Sequence, residues 1–248
     1  MPCQNRIFIV ASLLLALYAP VLAASYQEID TLLLKAMLDK DKEKDILLIY
    51  PLSRIEYNDL HIAGSVNIPL DDLQKKLPAD HNRPLVFYCL GEKCTASWRA
   101  AEVAAGLGYH RVYAYRAGLP AWAAAGYPTE SIEALPKMQV KKISTDELQQ
   151  RLQSDDNFVL LDSSLEADTQ KFRIDSPKRI YIPLEELHER YREIPRNKPI
   201  AVLCLKGTRG HSAVRFLTAK GFSDVVSVDG GIEKWILEKK PIVRGAAN

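Results

Sequence analysis

The sequence has little net charge and few cysteines, and each scarcity narrows what the protein can do. Its 33 lysines and arginines against 31 aspartates and glutamates leave a net charge of +2. No global field therefore favours nucleic acid or an acidic membrane surface as a partner. A hydrophobic content of 47% with 26% charged residues is that of a globular chain and excludes wholesale disorder. The 248 residues suffice for one large domain or two small ones.

The amino-terminal segment is typical of a secretory signal peptide. A lone Arg6 precedes an apolar run over residues 7–18, Pro20 interrupts the chain after it, and Val21-Leu22-Ala23 offers small residues for cleavage. The pattern predicts removal of residues 1–23 and a periplasmic or secreted protein that does not stay on a membrane. The alternative is an uncleaved anchor, although the run is short for a spanning helix.

After cleavage three cysteines remain, which are Cys89, Cys94 and Cys204. Exported proteins normally pair their thiols, and an odd number leaves at least one of them free or bonded to another chain. Cys3 lies ahead of the apolar run, where a lipid-bearing cysteine would not stand. The leftover thiol is a first indication of thiol chemistry.

The two halves of the sequence match when they are aligned on Trp122 and Trp235. NIPLDDL at 67–73 is then echoed by YIPLEEL at 181–187. The other coinciding pairs are Gly118 with Gly231, Gly108 with Gly221, Tyr109 with Phe222, Ala100 with Ala213, and Pro128 with Pro241. This spacing predicts a tandem duplication. The predicted domains cover residues 24–128 and 143–248, with a linker over 129–142.

Each half alternates short apolar strands with amphipathic helices. In the second half, strands are predicted at 158–162, 200–204 and 224–228, with a helix near 213–219. The first half gives the same order. Continuous apolar strands separated by helices indicate a parallel sheet with both faces covered. The predicted fold class is therefore α/β, with two such domains.

Both halves end a strand with a cysteine, and the residues that follow are not apolar. Cys204 is followed by LKGTRGHS, whereas Cys89 begins a loop that is two residues longer and holds Cys94. In parallel sheets, ligands bind outside the carboxyl ends of the strands. Inward-pointing backbone N–H groups, a helix N-terminus and the cations Lys206 and Arg209 would there lower the pKa of the Cys204 thiol. The pattern predicts a nucleophilic thiolate with an anionic substrate.

Three of these residues have alternative roles. Cys204 could be an ordinary core cysteine, although a packing cysteine has no need of flanking lysine, glycine and arginine. His211 stands at the start of a helix, where it is either a rim residue or a general base. Ser212 is either the N-cap of that helix or a ligand of the substrate.

The loop from Cys204 to Arg209, CLKGTR, resembles the six-residue active-site loop of rhodaneses, the thiosulfate sulfurtransferases. The resemblance continues in VDGGIEKW at 228–235 and in HIAGS at 61–65 of the first half. It covers nearly all of residues 25–243. It implies two rhodanese-like domains, each a parallel sheet covered by helices on both faces.

Each half departs from the family pattern. The first half ends its early strand with Tyr50-Pro51, where the family usually has an acid. The second half keeps Asp162 there, but counting back from Pro183 it reads DSPK at 175–178 in place of the His-Ile-x-Gly element. The loop from Cys89 to Cys94 resembles a longer rhodanese variant with a second cysteine five residues on. In this chain the loop has Lys93 but no arginine, which argues against ordinary thiosulfate turnover there.

The resemblance implies a sulfurtransferase that works through a cysteine persulfide. The implied catalytic thiols are Cys204 and, in the first half, Cys89. They would take sulfane sulfur from thiosulfate or a similar anion, and cyanide or a thiol would remove it, without a metal or organic cofactor. The residues implied to hold the anion are Lys206, Gly207, Thr208, Arg209, Gly210, His211 and Ser212, with Cys94 as a resolving thiol beside Cys89.

Three other function classes compete with this interpretation. A phosphatase or arsenate reductase of related architecture needs Cys-x5-Arg, and the two arginine positions are Gly210 and Thr95 in this chain. Cys89 and Cys94 could instead form a reversible redox pair, bridged by a disulfide, that works with a redox partner protein. A rhodanese scaffold with silent sites would act only as a binding module.

Overall fold

Two five-stranded sheets, one in each half of the chain, organise the computed structural model. The structure describes residues 25–42, 45–154 and 157–245. The signal peptide predicted over residues 1–23 lies outside these ranges. Within them, no helix has both the length and the apolar character needed to cross a membrane.

The first half builds one parallel sheet with its covering helices. Its elements are β1 (Gln27–Glu28), α1 (Thr31–Lys40), β2 (Leu47–Tyr50), α2 (Arg54–Asp59), β3 (His61–Ile62), β4 (Val66–Asn67), α3 (Leu73–Lys76), β5 (Leu85–Tyr88), α4 (Ala96–Gly106), β6 (Val112–Tyr115), α5 (Gly118–Ala124) and β7 (Thr129–Glu130). The sheet has the order β1-β6-β5-β2-β4 with every pair parallel. A separate antiparallel pair joins β3 to β7, which lies at the start of the segment predicted as a linker.

The second half repeats this plan. Its elements are β8 (Lys142–Ile143), α6 (Thr145–Ser154), β9 (Val159–Asp162), α7 (Glu166–Lys171), β10 (Phe172–Arg173), β11 (Arg179–Tyr181), α8 (Leu184–Arg190), β12 (Ile200–Leu203), α9 (Arg209–Ala219), β13 (Val225–Val228), α10 (Gly231–Leu237) and β14 (Val243–Arg244). The sheet order, β8-β13-β12-β9-β11, matches that of the first half strand for strand. The predicted α/β class and the duplication are therefore confirmed.

Strand residues alternate between two apolar layers in each domain. In β5, Leu85 and Phe87 pack with residues of α3 and α4, whereas Val86 and Tyr88 pack with residues of α1 and α5. The central strand β12 does the same, with α8 and α9 on one face and α6 and α10 on the other. Because successive side chains of a strand point to opposite faces, an uninterrupted apolar strand requires helices on both sides. The structure has them.

Two details differ from the sequence-based expectation. Helix α9 begins at Arg209, two residues before His211, where the sequence placed the helix start. Gly210 in its first turn packs so closely that a Cβ there would lie 2.5 Å from Ser227 Oγ. The second-half counterpart of β3 is β10, since each pairs with the last strand of its half. In the repeat, Phe172 therefore corresponds to His61. This position lies three residues before Asp175, which was found by counting back from Pro183.

The two halves meet through α2, which packs against α8 and α9. Ile55 on α2 belongs to the apolar cluster that these helices form in the second half. Asp59 Oδ2 and Arg215 Nη1 form an ion pair at 2.7 Å, and Lys220 Nζ lies 2.6 Å from Glu133 Oε1. The interface thus places a helix of the first half beside α9, which follows the Cys204 loop.

Candidate active site

Cys89 and Cys204 occupy the same place in the two sheets. Each follows a central strand, β5 or β12, at the carboxyl edge, which is where parallel sheets bind ligands. The Cys89 carbonyl accepts a hydrogen bond from Leu119 N–H at 2.8 Å, and the Cys204 carbonyl accepts one from Ile232 N–H at 3.0 Å. Helix α4 begins seven residues after Cys89 and α9 five residues after Cys204. The predicted difference of two residues in loop length is confirmed.

A glycine lies directly against each cysteine loop, which explains one pair of the repeat. Gly118 has φ +65° and Gly231 has φ +60°, and residues other than glycine rarely adopt such backbone conformations. A Cβ on Gly118 would lie 2.2 Å from Cys89 O, and one on Gly231 would lie 2.1 Å from Cys204 O. The close backbone approach fixes both loops on the helix that follows the next strand.

The Cys204 sulfur lies in a cradle of backbone amides. The N–H groups of Gly210, Arg209 and Gly207 face it, as the sequence predicted. Burial raises the pKa of this thiol above its ordinary value, and the three N–H groups and the Arg209 charge only oppose that rise. The expected lowering of the Cys204 pKa is therefore wrong for the free protein, because a side chain 1% exposed has lost its hydration.

Three of the predicted anion ligands lie on the rim of the loop. Lys206 is exposed, with Nζ 3.9 Å from Glu233 Oε1. Thr208 is the N-cap of α9, but its side chain makes no capping hydrogen bond. His211 is exposed, and partial burial lowers its pKa, helped by the positive charges of Arg215 and Lys142. All three side chains are exposed to solvent.

Arg209 forms an ion pair with Glu185 of α8. Its Nη2 donates to Glu185 Oε1, and the two side chains are only 19% and 20% exposed. Burial opposes the Arg209 charge, yet the Glu185 and Glu56 carboxylates and the Cys204 sulfur raise its pKa above the ordinary value. Burial also raises the pKa of Glu185, which the contact with Arg209 lowers in turn. The contact therefore favours the charged form of both side chains, as expected for an ion pair.

Ser212 contacts a carboxylate from the other half of the chain. Its Oγ–H donates to Glu56 Oε1 at 3.2 Å. The same carboxylate caps its own helix α2, because Oε2 accepts from the N–H and hydroxyl of Ser53 at 3.2 and 2.8 Å. Of the two roles considered for Ser212, the N-cap is excluded, since Thr208 holds that position.

In the first half, the thiol of Cys89 lies against Cys94. The Cys89 Sγ is 3.4 Å from Cys94 O and 3.5 Å from Ser97 Oγ. A hydrogen bond from Cys89 lowers the pKa of Cys94 to about 7. The N–H groups of Ala96 and Leu90 add to this lowering, and burial opposes it. The same hydrogen bond, together with burial, raises the pKa of Cys89. Cys94 is therefore the more acidic member of the pair, and the cysteines of the described residues are free thiols.

Alkylation of Cys94 by iodoacetamide should increase as the pH rises through about 7, because the thiolate is the form that reacts. The variant Cys89→Ala removes the hydrogen bond that stabilises this thiolate, so the half-point should move to higher pH. Peptide mass spectrometry measures both, with the buried Cys204 as an internal control that reacts at higher pH. A half-point that does not move in Cys89→Ala would contradict the shared hydrogen bond.

A cleft of about 880 Å³ opens between the two halves, beside the ion pair. Glu185 and Tyr181 line it from the second half, and Arg54 and Asn67 line it from the first. Burial, with the nearby carboxylates of Asp162 and others, raises the pKa of Tyr181 to about 12. Among the described residues, no three His, Cys, Asp or Glu side chains converge as a metal site would require.

Sequence reasoning missed Glu56 and Glu185. Glu185 lies in the YIPLEEL echo, and Glu56 stands three residues after Ser53, where a capping box predicts a carboxylate. Both signals are visible in the sequence. Neither indicates that the two carboxylates meet Ser212 and Arg209 beside the Cys204 loop.

The fold and site together define a tandem α/β protein with a thiol at the carboxyl edge of each sheet. The family model for the rhodanese-like domain matches residues 30–125 and 144–238. The chain therefore belongs to the rhodanese-like domain family, and it carries two copies. This confirms the family resemblance carried by the loop and by the carboxyl-terminal segments.

Several named proteins are similar to parts of this chain. A protein named sulfurtransferase from Allochromatium vinosum is 29% identical over 104 residues, which cover 42% of this chain and 95% of that protein. A thiosulfate sulfurtransferase GlpE from Pseudomonas syringae is 39% identical over 59 residues, 24% of this chain and 56% of that protein. A solved structure titled thiosulfate sulfurtransferase from Pseudomonas aeruginosa matches 90% of this chain and 44% of its own, at 20% identity and a TM-score of 0.43.

Proposed function

We propose that the protein is a sulfurtransferase whose nucleophile is Cys204. The observation that carries the proposal is the amide-lined cradle in which the N–H groups of Gly207, Arg209 and Gly210 face the Cys204 sulfur. This cradle lies at the carboxyl edge of a rhodanese-like sheet. The names of the relatives from Allochromatium vinosum and Pseudomonas syringae support the same class of reaction.

The proposed reaction has two displacements and needs no metal or organic cofactor. The Cys204 thiolate attacks the outer sulfur of thiosulfate or a similar sulfane donor. A new S–S bond forms, the S–S bond of the donor breaks, and its electron pair leaves with sulfite. Amide groups of the cradle hold the negative persulfide. Cyanide or a thiol then takes the terminal sulfur and returns Cys204 as a thiolate.

The test is mass spectrometry of the purified mature chain after treatment with a sulfane donor. We expect the peptide that contains Cys204 to gain the mass of one sulfur atom, and to lose it when cyanide is added. Treatment of the variant Cys204→Ser controls for sulfur on Cys89 and Cys94. Sulfur found only on the first-half thiols would refute Cys204 as the nucleophile.

A second candidate function, thiol redox or sulfur relay in the first half, is favoured by the acidic Cys94. Its pKa of about 7 makes Cys94 a reactive thiol, and the Cys89 sulfur lies 3.4 Å from the Cys94 carbonyl oxygen. We propose that this pair acts in an oxidising compartment, since the amino-terminal pattern predicts export and a start near Ala24. A Cys89–Cys94 disulfide would hold Cys89 inactive until a redox partner protein reduced it.

Thiol counting on protein from the exported fraction tests this second function. One free thiol per mature chain is expected if Cys89 and Cys94 are bonded to each other, because Cys204 is then left over. Reduction with dithiothreitol should restore three. Three free thiols without reduction would contradict the redox role. Protein retained in the cytoplasm would contradict the predicted export.

A further inference from the structure

We propose that the donor used at Cys204 is an organic persulfide of low charge, and that thiosulfate, a dianion, is a poor substrate. The inference rests on the sulfurtransferase function proposed above and narrows its substrate class. It follows from two carboxylates, Glu185 and Glu56, which lie beside Arg209, the only arginine of the six-residue loop.

Arg209 is the cation that a dianionic donor would need, and its charge is already matched inside the protein. Its guanidinium donates to Glu185, and neither side chain is more than one-fifth exposed. Charge-assisted hydrogen bonds are about twice as strong as neutral ones, so a dianion would have to displace Glu185 or bind next to it. The other loop cation, Lys206, is exposed and faces Glu233 at 3.9 Å.

Glu56 brings a second carboxylate from the first half. It is 7% exposed and held by Ser53, and its free oxygen accepts a hydrogen bond from Ser212. Ser212 stands three residues after Arg209 on α9, on the same side of the helix. The Glu56 carboxylate is therefore fixed near the Arg209 charge. The two negative charges of Glu185 and Glu56 together exceed the single positive charge of Arg209.

The cleft between the halves has room for an organic group. Its volume of about 880 Å³ falls within the range of small-molecule sites, about 300–1,000 Å³. Among the described residues that line it, six aspartates and glutamates outnumber four lysines and arginines. Glu185 belongs both to this wall and to the Arg209 ion pair. The excess of negative charge on this wall disfavours a dianion, whereas the space beside Glu185 can hold the carbon portion of an organic persulfide.

The reaction with such a donor, R–S–SH, balances without a co-reactant. The Cys204 thiolate forms a bond to the terminal sulfur, and the bond between the two donor sulfurs breaks. The electron pair goes to R–S⁻, which takes the proton of the donor and leaves as the thiol R–SH. Cys204 keeps the transferred sulfur as a persulfide anion. No dianion enters and no sulfite leaves.

The test compares thiosulfate with the persulfide of 2-mercaptoethanol, which carries at most one negative charge. In the wild-type chain, kcat/KM should be higher for the persulfide. Glu185→Gln and Glu56→Gln each remove one negative charge and keep the side-chain shape. We expect kcat/KM for thiosulfate to rise about fivefold in each variant, the size of one charge–charge contact at 4 Å in a water-like dielectric. The persulfide value should change much less.

Glu147→Gln is the matched control, because Glu147 lies on α6, outside the lining of the cleft, and pairs with Arg151 rather than with Arg209. This control variant should leave kcat/KM unchanged for both donors. Glu56→Gln keeps the test valid if Glu185→Gln unfolds, as a thermal melt would show. A wild-type preference for thiosulfate, or no rise in either glutamine variant, would overturn the inference while Cys204 still loads sulfur. If neither donor places sulfur on Cys204, the proposed function fails and the inference with it.

Discussion

Cys204→Ser should reduce sulfur transfer to cyanide by about a thousandfold or more with either donor, the scale seen when an enzyme loses its nucleophile. An oxygen at this position cannot form the S–S bond that stores the transferred sulfur. The substitution changes one atom in a buried place, so the fold should be kept. Steady-state assays of thiocyanate formation measure the loss.

Cys89→Ser is the matched control for Cys204→Ser, because both cysteines end a central strand and accept a hydrogen bond from the helix after the next strand. Its loop has no arginine to hold an anionic donor. We expect Cys89→Ser to keep most of the activity. Equal losses in the two variants would assign the reaction to both domains, and retained activity in Cys204→Ser would exclude Cys204 as the nucleophile.

Gly231→Ala should destabilise the second domain by about 3–5 kcal/mol, which is among the large effects of a single substitution. Its Cβ would lie 2.1 Å from Cys204 O, 2.6 Å from Gly207 N and 2.8 Å from Leu205 O. All three atoms belong to the backbone and cannot move without opening the loop. The φ of +60° adds strain for any side chain. Urea unfolding measures the loss.

Gly221→Ala is the control for the contact, because it has a positive φ in the same domain but open surroundings. Its φ is +88°, and the nearest atom to a Cβ among the described residues is Arg196 Nη1 at 3.6 Å, an ordinary contact with a flexible side chain. We expect only the backbone cost, about 1–2 kcal/mol. If the two alanine variants lose equal stability, the close approach at Gly231 has no energetic role.

The duplication, the sheets and the position of the cysteines could be predicted because they depend on local signals. Apolar runs such as residues 200–204 are continuous, and a strand covered on both faces needs such a run. The repeated glycines were visible as spacing, although the sequence does not show that Gly118 and Gly231 meet the cysteine carbonyls. The start of α9 was predicted within two residues, although the sequence does not show that Gly210 packs closely on Ser227.

The sequence by itself determined that the chain has two α/β domains and a thiol after each central strand, since hydrophobic pattern and residue spacing act over short distances. Only the tertiary structure decided the charge of the site. Arg209 meets Glu185 across 24 residues, and Ser212 meets Glu56 across 156. Such pairs form when helices pack and domains dock, and no local pattern records which side chains then face each other. A loop that looks cationic in sequence is therefore nearly neutral once the two halves come together.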